Sequence, residues 1–232
     1  EGYYLSPSAP GVADHLDAVV REIVRAYSVD GLHFDFIRYP GPSFDYSRVA
    51  LEGFRAQGGG QDLLGGPARS PREWDAYRRQ VLTTLATRLA DAARAERPGL
   101  TLSAAVAPDE AQAVNNKFQD WPKWMASGVL TAVCPMTYTP DNRLFQDQVA
   151  SARERAGGAF PVWAGIGAYR LDLPGIVEKV ALARRSGARG VVLFSHESLA
   201  PGDLRRLRNE AFAERVVDGA PGPGGGRASG SR

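Results

Sequence analysis

Five short apolar runs, at residues 31–36, 100–107, 129–136, 160–165 and 191–195, recur along the chain, and a stretch with helical spacing follows each of them. Such runs predict strands buried on both faces, and the helical stretches between them are long enough for crossover connections. Strand and helix in strict alternation predict an α/β protein with a parallel sheet covered by helices. Two architectures satisfy that rhythm: a doubly wound open sheet, or part of an eight-stranded (β/α)8 barrel. No Gly-x-Gly-x-x-Gly loop follows any of the runs, which weakens the nucleotide-binding version of the open sheet.

The helical stretches have clear limits. Ala13, Leu16, Val19, Val20, Ile23 and Val24 recur at helical spacing within 9–27, ahead of the first run. A long helix is expected over Pro71–Glu96, with Ser70 as N-cap, Pro71 at its first position and Glu73 near the capping-box position. Further helices are expected at 119–127, from Asp141 to about Ala156, at 174–186 and at 201–216. Residues 41–69, with Gly58, Gly59 and Gly60 in the middle, read as one long connection, and 108–118 as a loop. Residues 1–216 then form a single unit, and 217–232, rich in Gly, Pro, Ser and Arg, form a disordered tail.

Charge and composition exclude several classes of function. A net charge of +2 implies no nucleic-acid partner, and pairs such as Arg78 and Arg79 read as solvated helix faces. No stretch approaches the ~20 apolar residues of a membrane span. The single cysteine, Cys134, lies inside an apolar run, which points to packing rather than catalysis. No calcium loop or Cys/His cluster occurs, so no metal and no cofactor is expected.

In βα folds the chemistry sits at the carboxyl ends of the strands. Asp35 at the end of the first run is the strongest candidate: a carboxylate set among Phe34, Phe36 and Ile37, with His33 and Arg38 as nearby partners. Strand alternation places Leu32, Phe34 and Phe36 on one face and His33, Asp35 and Ile37 on the other. Second carboxylates are available at Asp109 and Glu110 after the second run, and at Glu197 after the fifth. Capping or solvation explains Asp109 and Glu110 equally well, and exposure on a loop explains Glu197 better than an acid role. Tyr39, Trp121, Tyr138, Trp163 and Tyr169 supply flat rings near the same end. Carboxylates beside flat rings suit sugar binding and glycosidic cleavage. Rings stack on sugar faces, one carboxylate stabilises or attacks the oxocarbenium-like centre, and another protonates the leaving oxygen.

Those residues also carry a family resemblance. Tyr4-Leu-Ser-Pro-Ser8, the run Val29-Asp-Gly-Leu-His-Phe-Asp-Phe-Ile-Arg-Tyr-Pro40, Gln119-Asp-Trp121 and Pro135-Met-Thr-Tyr138 resemble, in that order, bacterial glycosyl-hydrolase-like proteins of the family-10-like group. The resemblance implies a (β/α)8 barrel, usually exported, that acts on polysaccharide or on peptidoglycan glycan. Asp30-Gly-Leu-His-Phe-Asp35 is also similar to the fourth-strand motif Asp-Gly-Phe-Arg-x-Asp of α-amylase-type barrels, whose last aspartate is the nucleophile. Histidine stands here in place of the arginine.

On that likeness the run 31–36 becomes strand four, and the chain a partial (β/α)8 TIM barrel of about five parallel strands, four to eight. Strands one to three would lie before Glu1. A chain that opens on Glu1-Gly2-Tyr3 without methionine fits a missing upstream segment, which would carry any export signal. A secreted, periplasmic or envelope location follows as an expectation, as does poor stability of the isolated chain. The expected activity is a glycoside hydrolase on an oligo- or polysaccharide. Asp35 would be paired with Asp109 or Glu197, and His33, Arg38, Tyr39, Trp121, Tyr138, Trp163 and Tyr169 would contact substrate. The alternative is a carbohydrate-binding or cell-envelope barrel without a working acid.

Overall fold

The computed structural model describes residues 3–59 and 71–213. Five strands alternate with helices: α1 (Val12–Ala26), β1 (Gly31–Phe34), α2 (Arg48–Ala56), α3 (Pro71–Glu96), β2 (Thr101–Val106), α4 (Glu110–Asn116), α5 (Trp121–Ala126), β3 (Ala132–Pro135), α6 (Asn142–Arg155), β4 (Trp163–Gly167), α7 (Leu173–Arg185), β5 (Gly190–Phe194) and α8 (Asp203–Glu210). Single 3-10 turns, Ala168–Arg170 and His196–Ser198, follow β4 and β5.

All strand pairs are parallel. β1-β2-β3 form one ladder and β4-β5 another, and a single parallel bridge, Val133 to Val162, joins them. Each strand therefore lies beside the next one in sequence. A doubly wound sheet reverses its strand order at a switch point, whereas a barrel proceeds round in chain order. The order observed here has no reversal.

Alternate residues of the strands bury against the helices. Leu102, Ala104, Val106 and Val133 pack with Val20 and Val24 of α1 and with Leu82, Leu85, Ala86, Leu89 and Ala93 of α3. Ala86, Ala90 and Ala93 are among the small residues that line this side of α3, and small side chains permit close approach of the helix to its neighbours. A second core joins Ala164 and Ile166 of β4 to Phe145 and Val149 of α6 and Val180 and Ala183 of α7. The Arg97 guanidinium ties the entry to β1 by donating to the carbonyls of Val29, Val24 and Tyr27 at 2.5, 2.8 and 3.2 Å.

Several boundaries differ from those expected. The 41–69 connection contains α2, whose N-cap Ser47 accepts from the Ala50 amide at 3.3 Å. Its Ala50 and Phe54 pack on Trp74 and Tyr77 of α3, a contact between distant segments that supplies what a nine-residue helix lacks alone. The expected loop 108–118 contains α4. Strand β4 lies later than expected, at Trp163–Gly167 rather than 160–165. The first strand ends at Phe34, two residues early, because Phe36 takes a φ of +54° and breaks the alternation. Ile37 is consequently buried, off the face assigned to it.

Arg78, expected on a solvated face, is buried. It donates to the carbonyls of Pro42 (2.7 Å) and Phe44, pairs with Asp75 at 2.6 Å and lies 3.8 Å from the Phe118 ring centroid. Its charge is compensated by fastening the segment after β1 to α3. Ser70, the central Gly60 and the tail 217–232 fall outside the described residues. Among the described residues no helix is long and apolar enough to cross a membrane.

Candidate functional site

The carboxyl ends of β1, β3, β4 and β5 bring together Asp35, Tyr138, Tyr169 and Phe194. Asp35 directly follows β1 and keeps 47% of its side chain exposed. Its Oδ1 accepts the Phe36 amide at 2.7 Å and faces Arg38 Nη1 at 3.4 Å. The left-handed conformation of Phe36 costs a bulky residue about 1–2 kcal/mol. Its N–H bond to the Asp35 carboxylate offsets part of that cost, so the turn and the placement of the carboxylate support each other. Phe36 itself is 64% exposed, with the Arg38 guanidinium 4.6 Å from its ring centroid.

His33 lies one strand step below Asp35. It pairs in register with Ser103 of β2, and its Nδ1 is 2.9 Å from Ser103 Oγ. Burial lowers the imidazole pKa, and the Asp35 charge opposes that shift. Cys134 of β3 feels the same carboxylate: burial first, then Asp35, push its thiol up to about 12. Tyr138 is also raised to about 12, by burial first and then by the neighbouring Cys134 and Asp35. The Asp35 charge thus bears on all three groups, His33, Cys134 and Tyr138. Both the thiol and the phenol stay protonated at neutral pH.

Three rings form a platform beside this group. Tyr138 and Phe194 stack with centroids 5.6 Å apart and planes 11° from parallel, and Tyr169 meets both rings edge-on at 6.2 and 6.4 Å. Glycine in β4 makes the seat. A Cβ at Gly165 would lie 2.7 Å from the Pro135 carbonyl and 3.1 Å from Tyr138 Cε1, and one at Gly167 would lie 3.0 Å from Tyr138 Cβ. Arg170 Nη1 holds the Tyr138 carbonyl at 2.7 Å, and Thr137 Oγ1 donates to the Gly165 carbonyl at 2.7 Å. Tyr169 and Phe194 are exposed.

Other expected site residues lie elsewhere. Trp121 is 1% exposed and belongs to the large core, because α5 turns that face inward against α3 and the sheet. Tyr39 is 3% exposed and packs edge-on against Phe118 at 5.4 Å. Neither ring is open to a ligand. Trp163 opens β4, at the end of the strand opposite to Asp35, with its indole over Gly190. Asp109 is the N-cap of α4 and accepts the Gln112 amide at 2.6 Å. Glu110 faces Arg155 at 2.7 Å. Glu197, in the turn after β5, is held below the usual carboxylate range by hydrogen bonds from Ser195 and from its own amide.

Three residues escaped the sequence reading. Ser103 is a hydroxyl in the buried middle of an apolar strand, and a buried hydroxyl needs a partner, a usable signal. Phe194 shares strand parity with Val192 and Gly190, but that parity means nothing until β5 is in register with β4. In the sequence Gln119 stands out only as part of the Gln119-Asp-Trp121 motif. It is buried and holds the ends of two strands: its Nε2 donates to the Ile37 and Ala105 carbonyls at 3.1 and 2.9 Å, and its Oε1 accepts the Ala107 amide at 3.0 Å.

Both a family model and solved structures match the chain. The family described as glycosyl hydrolase-like 10 matches residues 1–175. Among solved structures, α-L-fucosidase isoenzyme 2 from Paenibacillus thiaminolyticus superposes with a TM-score of 0.62 at 17% identity, over 92% of this chain and 31% of the fucosidase chain. The chain thus spans about a third of that protein's length and shares its fold over that part. No curated protein matches.

Proposed function

The chain belongs to the glycosyl hydrolase-like 10 family, and on that premise we propose that it hydrolyses O-glycosidic bonds of an oligo- or polysaccharide through Asp35. The observation that carries this reading is the position of Asp35: a solvent-open carboxylate at the carboxyl end of β1, held by the Phe36 amide, next to a platform of rings. Glycosidic cleavage uses a pair of carboxylates, of which Asp35 would be one, and flat rings suit stacking on sugar faces. Tyr138, Tyr169 and Phe194 would stack on the sugar, and His33 and Arg38 would contact its hydroxyl groups. The singly wound strand order and the likeness to the fucosidase chain support taking β1 to β5 as strands four to eight of an eight-stranded barrel, with residues 1–216 as its unit. An exported or envelope location goes with the family reading.

Asp109 spends its carboxylate on a helix cap, and Glu197 is stabilised in the ionised form, the wrong form for protonating a leaving group. These two observations favour a second reading, a carbohydrate-binding protein that keeps the platform without turnover. Asp35→Asn, assayed in the complete protein for glycan cleavage and for glycan binding, separates the two. The hydrolase reading expects cleavage by the wild type and a loss of about 10²-fold or more in the variant, with binding retained. Binding without cleavage in the wild type supports the second reading. Equal cleavage by wild type and variant removes Asp35 from the chemistry.

A further inference from the structure

The pair His33 and Ser103 decides which nitrogen of the imidazole faces the ligand. Ser103 Oγ is buried, with 2% of the residue exposed, and its one hydrogen-bond partner among the described residues is His33 Nδ1 at 2.9 Å. A hydroxyl carries one proton and can accept at two lone pairs. A buried hydroxyl proton left without an acceptor is costly, so the proton of Ser103 goes to the acceptor within reach, the Nδ1 lone pair. A neutral imidazole that accepts at Nδ1 carries its own proton at Nε2. His33 is exposed, and its Nε2 has no partner among the described residues. Burial lowers the pKa of the ring and so favours its neutral form at neutral pH.

We propose that Ser103 is a positioning residue that locks His33 as the Nε2–H tautomer and so leaves that N–H, close to Asp35 in the chain, free as a donor to a substrate hydroxyl or ring oxygen. The identity of the acceptor rests on the proposed carbohydrate function; the tautomer lock does not. The register reinforces the lock, since His33 and Ser103 are direct neighbours on paired strands and neither can shift without slipping the β1–β2 ladder.

The tautomer can be read without any substrate. In the 15N-histidine-labelled complete protein, two-bond proton–nitrogen spectra distinguish Nε2–H from Nδ1–H rings, and the His33→Gln spectrum assigns the His33 signal. The expected result is an Nε2–H signal for His33 in the wild type, a mixed or inverted tautomer in Ser103→Ala, and recovery in Ser103→Thr, which keeps the hydroxyl. In turnover or binding assays, Ser103→Ala is expected to lose about tenfold, the worth of one hydrogen bond, with Ser103→Thr closer to wild type. A wild-type Nδ1–H ring, or a Ser103→Ala spectrum identical to wild type, overturns the inference whatever the activity. If Asp35→Asn leaves cleavage intact while Ser103→Ala still shifts the tautomer, the Asp35 reading fails and the lock stands.

Discussion

His33 joins the chemistry of the site to the stability of the fold. Its folded pKa lies below the ordinary value, with burial as the main cause. A depressed imidazole pKa means that below about pH 6.5 the unfolded chain takes up a proton that the folded chain refuses. The contribution is fully present above that pH and is lost as pH falls toward and through the lower folded value. Relative to His33→Gln, the wild type should therefore lose stability as the pH drops from 7 to 5, measured by urea unfolding at several pH values. A difference between the two that stays constant over that range would show that the ring is solvated as in the unfolded chain. At this scale the sequence was half legible. Asp35 and its neighbour His33 stood out because polar groups in an apolar strand need partners. Tyr39 and Trp121 were misjudged because aromatic rings serve core and cleft alike, and only α5 and the Phe118 contact decide which way they turn.

The elements that carry these residues are held by buried polar side chains as much as by apolar packing. Gln119 follows α4 and reaches back to three backbone groups at the ends of β1 and β2. Replacing it with leucine keeps the volume close but leaves two carbonyls and an amide without partners, at about 1–3 kcal/mol for each group that water cannot reach. We expect Gln119→Leu to lower the unfolding free energy by at least about 2 kcal/mol and to blunt any function that depends on Asp35, since Ile37 lies two residues beyond it. A change under about 0.5 kcal/mol would mean that the three groups find water instead. The same physics explains why elements were easier to foresee than their limits. Helical spacing announces α1, and Pro71 and Glu73 in the first turn announce α3, which buries a long face. The short α2 and α4 depend on caps at Ser47 and Asp109, and α2 also on docking against Trp74, so their local sequence resembles a loop. The premature end of β1 has no periodic signature, because a single left-handed residue, Phe36, produces it.

At the scale of the whole molecule, alternation of strand and helix fixes the class, and strand order does the rest. Alternation alone could not separate the open sheet from the barrel, since both repeat the same βα unit; the unreversed order β1 to β5 favours the second. The order also contains a weak seam. β3 and β4 share one bridge, Val133 to Val162, while every other neighbouring pair shares a ladder of four or five residue pairs. The seam runs near a division of the core: α1, α3 and β1 to β3 bury one large cluster, joined by Ala152 of α6 and by Val162, and β4, β5, α7 and the first half of α6 bury a smaller one. Regions with separate cores and few shared backbone hydrogen bonds open as separate cooperative units, the smaller core at lower free energy. Native-state hydrogen exchange should therefore show amides of β4, α6 and α7 exchanging together, ahead of β2, β3 and α3. The ring platform would loosen with them, because Tyr169 and Phe194 belong to the less protected unit and Tyr138 to the junction. A ligand stacked across Tyr138 and Phe194 would bridge the seam and raise protection mainly on the β4–β5 side. Equal protection from β2 through β5, with a single exchange isotherm, would show instead that one bridge suffices to make the two cores a single unit.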